Sequence, residues 1–123
     1  MRFVCLFHID AEQLGRLTSE ELARFDLDNR DADARLIESG HYVSALALAG
    51  QSATVRRRAG QVSLTDGPYA ETKEQLGGIL IIEAADMAEA LQIAQDGPMA
   101  DFGTVEVRPE LGVGWQKQQQ GRT

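Results

Sequence analysis

The sequence predicts an α+β domain, a split βαβ plait with four main strands in one antiparallel sheet, two helices on one face, and a β-hairpin inserted between its halves. Three observations lead there. An apolar run of strand length is twice followed by a stretch of helical period and then by another strand. Thr18 with Glu21, and Asp86 with Glu89, have the spacing of a capping box, which marks two helix starts. Ala59-Gly60 separates two polar–apolar alternating segments at the spacing of a tight hairpin.

Residues 2–9 form the first strand, rich in Phe, Val and Ile and closed by Asp10. The first helix begins at Ser19 and runs until Gly40, a residue suited to ending it. Leu22, Phe25, Ala32 and Leu36 keep helical spacing, while Asp26, Asp28, Asp31 and Asp33 mark a wet face. Residues 41–46 read as the second strand, broken by Gly50-Gln51-Ser52. In the hairpin, residues 54–58 and 61–65 pair Val55 with Leu64 and Arg57 with Val62, so Arg56, Arg57 and Arg58 alternate faces. A turn at Asp66-Gly67-Pro68, a polar stretch over 71–75 and Gly77-Gly78 lead into a buried strand at 79–82. The second helix turns Met87, Leu91 and Ala94 inward and stops at Gly97-Pro98. The last strand, residues 103–108, puts Val105 and Val107 on one face and Thr104, Glu106 and Arg108 on the other. The domain therefore spans 1–109, and 110–123 form a polar tail in which Trp115 is the one large ring, suited to docking on its own domain or on a neighbour.

The first strand is apolar on both sides: Phe3, Cys5 and Phe7 alternate with Val4 and Leu6, and residues 79–82 do the same. Helices on one face leave the other uncovered. A second copy packed sheet to sheet about a twofold axis is the simplest cover, which predicts a homodimer with any pocket between the sheets or at their rim.

Composition narrows the function. The chain has 123 residues with 43% hydrophobic and 25% charged side chains, ordinary values for one folded domain. A formal net charge of −7 repels phosphate, and the short basic run Arg56-Arg57-Arg58 is split between faces, so no nucleic-acid partner is expected. One cysteine rules out an intrachain disulfide and a Cys-based zinc site, which points to a reducing, cytoplasmic location. No run approaches the roughly 18 to 20 apolar residues of a membrane span, so no membrane partner is expected either. His8, His41 and the scattered carboxylates lack ligand spacing for a metal or haem, and Gly77-Gly78 precedes a strand rather than a phosphate-binding helix, so no cofactor is expected.

Candidate chemistry lies in two places. His8 ends the first strand on the side of Val4 and Leu6, and Glu106 and Arg108 share that face if the last strand lies beside the first; a His next to a carboxylate can serve as a general base. The bland reading is a wet rim with structural pairs. The second place is the turn after the hairpin, where Asp66, Tyr69, Glu71 and Lys73 fall close together as ligand-binding candidates with Arg108. There the alternative is architecture, with the Asp66 carboxylate capping the turn and Gly67 supplying positive φ. Cys5, between Phe3 and Phe7, reads as an inert core thiol, and His41 as surface.

The string Asp66-Gly67-Pro68-Tyr69-Ala70-Glu71-Thr72-Lys73-Glu74-Gln75-Leu76-Gly77-Gly78, followed by the apolar strand, Glu83-Ala84 and Glu89-Ala90, resembles the DGPF segment of the YCII-related family. The resemblance extends to the GTVEVRP end, Gly103 to Pro109, and to the placing of both helices. It implies a ferredoxin-like fold forming a dimeric α/β barrel, and a small bacterial cytosolic protein of a kind often encoded beside alternative sigma factors. It also implies an acid–base pair, a His in the first helix and an Asp before a Pro ending the second. This chain departs from that pattern: Asn29, with Asp31 nearby, stands where the His would fall, and Asp96 is displaced by one from Pro98 because Gly97 intervenes. Asn29 cannot exchange a proton, which weakens that chemistry here. The expectation is a homodimer binding a small organic molecule in a cleft between sheets, with weak acid–base catalysis from His8, Glu106 or Asp96. The alternative is a non-catalytic regulatory or interaction protein linked to a sigma-factor stress response. The residues leave open whether it is an enzyme.

Overall fold

Asp10 ends the first strand by turning its carboxylate onto the backbone N–H groups of Glu12 and Gln13, at 3.1 and 3.3 Å. In the computed structural model, which describes residues 1–112, β1 (Arg2–Asp10) therefore passes straight into a short helix, α1 (Ala11–Gly15). The long helix α2 (Ser19–Glu38) opens with the full capping box: Glu21 N–H donates to Thr18 Oγ1 at 3.1 Å, and Thr18 N–H donates to Glu21 Oε1 at 3.0 Å. The Thr18 backbone N–H holds the Glu21 carboxyl below its ordinary range. The third helix, α3 (Met87–Asp96), starts on Asp86, but here Glu89 reaches the N–H of Ala85 instead of the cap residue, so the box is half made.

The remaining strands are β2 (Tyr42–Ala47), β3 (Ala53–Arg58), β4 (Gln61–Asp66), β5 (Glu74–Glu83) and β6 (Gly103–Pro109), with a 3-10 turn at Pro98–Asp101. The main sheet runs β2-β5-β1-β6 with all neighbours antiparallel, the strand order of a ferredoxin-like plait. Cys5 lies opposite Leu80 on one side and Val107 on the other, which sets the helix-facing row; Leu6 lies opposite Ile79 and Glu106, which sets the open row. A bulge after Phe7 brings His8 opposite Leu76. The hairpin pairs Val55 with Leu64 and Arg57 with Val62, as its two-residue turn requires, with Ala59 and Gly60 both at positive φ (50° and 77°).

The fully covered core is small: Phe3, Cys5, Leu80, Ile82, Ala84 and Ala90. Its helix contribution corrects the sequence reading of α3. Ala90, Ile93 and Ala94 face the sheet, whereas Met87 and Leu91 are 37% and 49% exposed. Ala90 has no bulk beyond its methyl group, so α3 sits close to the strands and turns its larger residues to the margin. The second helix buries none of its residues fully. It leans on the 3-10 turn, where the Phe25 and Phe102 rings meet edge to face with centroids 4.5 Å apart, and stands off from the sheet beneath it. On the opposite side of the sheet Val4, Leu6, Ile79 and Ile81 are half-buried and Leu46 is 59% exposed, with no helix of the described residues over them. No helix of the described residues is long and apolar enough to cross a membrane. Trp115, to which the sequence assigns a docking role, lies outside the described residues.

Candidate active site

The stand-off of α2 leaves a cavity of about 730 Å³ between the helices and the sheet. Cys5, Phe7 and Leu80 form part of its floor, Phe25 and Leu36 its roof, and Met99 closes one end. The lining is mostly apolar, the usual character of a site that takes a small organic ligand. Its polar side chains are Asn29, Asp33 and Arg35 of α2, Ser39 directly after it, Tyr42 of β2 and Asp96 at the end of α3.

This cavity gathers residues the sequence separates. Asn29 and the Asp96-Gly97-Pro98 corner, which the family resemblance aligns with an acid–base pair, both line it. Asp31 does not; with Arg24 and Asp28 it lines a neighbouring polar groove between α2 and the Asp96-Gly97-Pro98 corner. Asp33, which the sequence reading places on the wet face, lines the cavity instead. The signal for it was spacing: Phe25, Asn29, Ala32, Asp33 and Leu36 recur at intervals of three and four and so share one helix face. Asn29 Nδ2 donates to the Phe25 carbonyl at 3.1 Å, and Asp96 Oδ1 accepts from Gln92 Nε2 at 3.0 Å. Asp33 has no hydrogen-bond or ion-pair partner among the described residues, and burial pushes its carboxyl above the ordinary range.

His8, Glu106 and Arg108 occupy the other face. His8 Nε2 is 3.1 Å from Glu106 Oε1, and the carboxylate acceptor makes that nitrogen the donor. Thr104, in register with His8, donates to Glu74 Oε1 at 2.7 Å. His8 and Glu106 are thus brought together as the strand pairing requires, at a wet position, with side-chain exposures of 33% and 52%. Arg108 lies two rungs away, opposite Val4, and pairs with no carboxylate among the described residues. The sheet separates this cluster from the cavity, so Asp96 and the His8–Glu106 pair do not form one site.

In the turn after the hairpin the four candidate residues, Asp66, Tyr69, Glu71 and Lys73, are not hydrogen-bonded to one another. Tyr69 is 82% exposed, and Lys73 Nζ points to Asp10 Oδ2 at 3.6 Å. The turn is fastened by Gly67 N–H donating to the Ser52 carbonyl and by Thr54 Oγ1 donating to the Gly67 carbonyl, both at 2.8 Å. Gly67 holds φ +94°, which favours glycine. The Asp66 carboxylate makes no cap among the described residues. His41 Nδ1 donates to the Glu83 carbonyl at 2.8 Å, a structural bond between β2 and β5.

Cys5 is fully buried, and burial pushes its thiol up to about 11. An unfolded chain titrates this thiol near 8.5, so the native state holds the proton longer. The stability involved is whole below the unfolded value and is lost as pH rises through the window up to about 11. Two results are expected: a disulfide reagent labels the native protein at neutral pH roughly 100-fold slower than the urea-unfolded chain, and Cys5→Ala flattens the alkaline decline in urea midpoint. Rapid native labelling would contradict the burial.

A 5-chloro-2-hydroxyhydroquinone dehydrochlorinase from Burkholderia phenoliruptrix, solved in complex with 2,5-dihydroxybenzoquinone, is similar to this chain with a TM-score of 0.46 at 16% identity, over 89% of this chain and 93% of that one. An uncharacterised protein of Rhizobium meliloti is 35% identical over 113 residues, 89% of this chain and 91% of the relative. The family model of the YCII-related domain matches residues 1–111, so the plait, its inserted hairpin and its DGPF-type turn belong to a member of the YCII-related family.

Proposed function

We propose that this protein is a small cytoplasmic homodimer that binds a small organic molecule in the cavity between α2 and the sheet, where Asp33 serves as its proton-exchanging group. The observation that carries this reading is the cavity itself: about 730 Å³, apolar over most of its wall, with Asn29, Asp33, Arg35 and Asp96 among its few polar side chains. It favours the helix side of the sheet over the cleft between two sheets as the ligand's place. Asn29 can orient a ligand through its amide but cannot take a proton, which leaves Asp33 and the more exposed Asp96 for weak acid–base chemistry. The homodimer reading rests on the half-buried apolar row Val4, Leu6, Ile79 and Ile81, which no helix of the described residues covers.

A second reading draws on that same face. His8 with Glu106, and Thr104 with Glu74, are already paired, the arrangement expected of an interface rather than of a waiting active site. It makes the protein a non-catalytic regulatory or interaction partner, linked to an alternative sigma-factor system as the family resemblance implies.

Nuclear magnetic resonance with a set of neutral one- and two-ring aromatic compounds separates the two. The first reading expects amide shifts at Phe25, Asn29, Leu36, Ile93 and Met99, abolished by Ala32→Phe, which fills the cavity without disturbing the sheet. Shifts confined to His8, Glu106 and Arg108 or to residues 66–73, or persistence of the cavity shifts in Ala32→Phe, would overturn it.

A further inference from the structure

We infer that the β3–β4 hairpin is an arm that clasps a second copy of this chain. The inference rests on the homodimer reading above and adds to it the element that grips. Among the described residues the two strands pair only with each other and form a sheet separate from the main one. A two-stranded hairpin is marginal by itself and needs something to pack against. Within its own chain it has little: the base is tied down at Ser52, Thr54 and Gly67, and every residue of β4 is exposed.

Its faces differ. Val55, Arg57, Val62 and Leu64 share one, since Val55 pairs with Leu64 and Arg57 with Val62. Val55, Val62 and Leu64 are 71%, 55% and 75% exposed. The opposite face carries Thr54, Arg56, Arg58, Gln61, Ser63 and Thr65 and is polar throughout. One apolar face on a projecting ribbon is the pattern of a segment that lies on a partner surface.

Charge selects the partner. The hairpin holds three of the chain's twelve cationic side chains and no acidic one between Ala53 and Thr65, whereas the whole chain has a formal net charge of −7. A nucleic acid drawn to the arginines would be repelled by the body behind them. An acidic protein surface would not, and a second copy supplies one. The open sheet face combines the apolar row Val4, Leu6, Ile79 and Ile81 with the carboxylates of Glu74 and Glu106 at one end. A twofold axis then lays each arm on the other body with Val55, Arg57, Val62 and Leu64 against it, so that Arg57 faces the partner's carboxylates while Arg56 and Arg58, on the outer face, add longer-range attraction, as an isologous interface allows.

The test is sedimentation equilibrium of the full chain at about 50 mM and about 500 mM sodium chloride, for wild type, Val55→Ser/Leu64→Ser and Arg56→Glu/Arg57→Glu/Arg58→Glu, with circular dichroism confirming that all three fold. The wild type is expected to be a dimer weakened by salt, each variant to raise the dissociation constant roughly ten-fold or more, and the arginine variant to lose the salt dependence. A wild-type dimer whose constant both variants leave within about two-fold would overturn the arm while the homodimer reading stands. A wild-type monomer at every concentration would overturn both. Binding of a short DNA duplex that the arginine variant abolishes, with the dimer unchanged, would also overturn the arm and assign the arginines to nucleic acid.

Discussion

Gly103→Ala is expected to cost about 3 kcal/mol of folding stability, a very large effect for adding one methyl group. A Cβ placed at Gly103 would fall onto the carbonyl oxygen of His8 and lie 3.0 Å from its carbonyl carbon and 3.1 Å from Ile9 Cα. All three are backbone atoms, held by the pairing of β1 with β6 in which Gly103 faces Ile9, so no rotamer change relieves the clash. Gly77 provides the internal comparison. A Cβ there meets the Ile9 side chain at its Cδ1 end, which can move, and Gly77→Ala is expected to cost only about 1 kcal/mol. Urea unfolding of both variants, followed by far-ultraviolet circular dichroism, checks the ranking. Equal midpoints, or Gly103→Ala within about 0.5 kcal/mol of wild type, would show that β6 can slide away from β1. The consequence reaches the open face, because β6 carries Glu106 and Arg108 and its seating against β1 sets the His8–Glu106 bond.

Much of this fold was legible because short-range chemistry sets long-range register. The Ala59-Gly60 turn leaves one pairing for the hairpin, and the alternation of β6 places Glu106 beside His8 once β6 lies next to β1. Elements too short for a period were not legible. Helix α1 has five residues and is nucleated by one carboxylate, Asp10. The start of β5 at Glu74 and Gln75 is polar and reads as loop, yet Glu74 is held in the sheet by its pairing with Asp10 and by the Thr104 hydroxyl. The candidate site was hidden for a different reason. Four aspartates of α2 look alike by type, and only their angle around the helix separates Asp33, four residues after Asn29, from Asp31 on the neighbouring groove. The cavity itself depends on how far α2 stands from the sheet. That distance is set by Phe25 meeting Phe102, a contact between residues far apart in sequence.

Asp33→Asn is expected to strengthen the fold and weaken the ligand. In the native state the carboxyl is raised by burial and has no partner among the described residues, so the folded protein holds its proton more tightly than the unfolded chain does. The native state is therefore favoured below the ordinary carboxylate range and loses that advantage as pH rises through the raised value. At neutral pH the charge is a burden, and the isosteric amide removes it. The variant is expected to have the higher urea midpoint at neutral pH, and the difference shrinks towards zero as the wild type is protonated in acid. Glu21 titrates with the opposite sign, since its lowered carboxyl supports the fold above its range, so the difference between variant and wild type isolates Asp33 from the general acid transition. For cavity-binding compounds that carry a hydroxyl or ammonium donor, losing a charged acceptor costs about 1.5 to 3 kcal/mol, roughly ten- to a hundred-fold in dissociation constant, whereas purely apolar compounds of the same size bind unchanged. Superimposable pH–stability curves together with equal affinities for both compound classes would remove Asp33 from the site. A side chain that burdens the fold and is needed for the ligand is held in place by function; if Asp33 burdens the fold and no donor-bearing ligand notices its loss, the cavity is a consequence of α2 resting on Phe102 and the open face is where the protein acts.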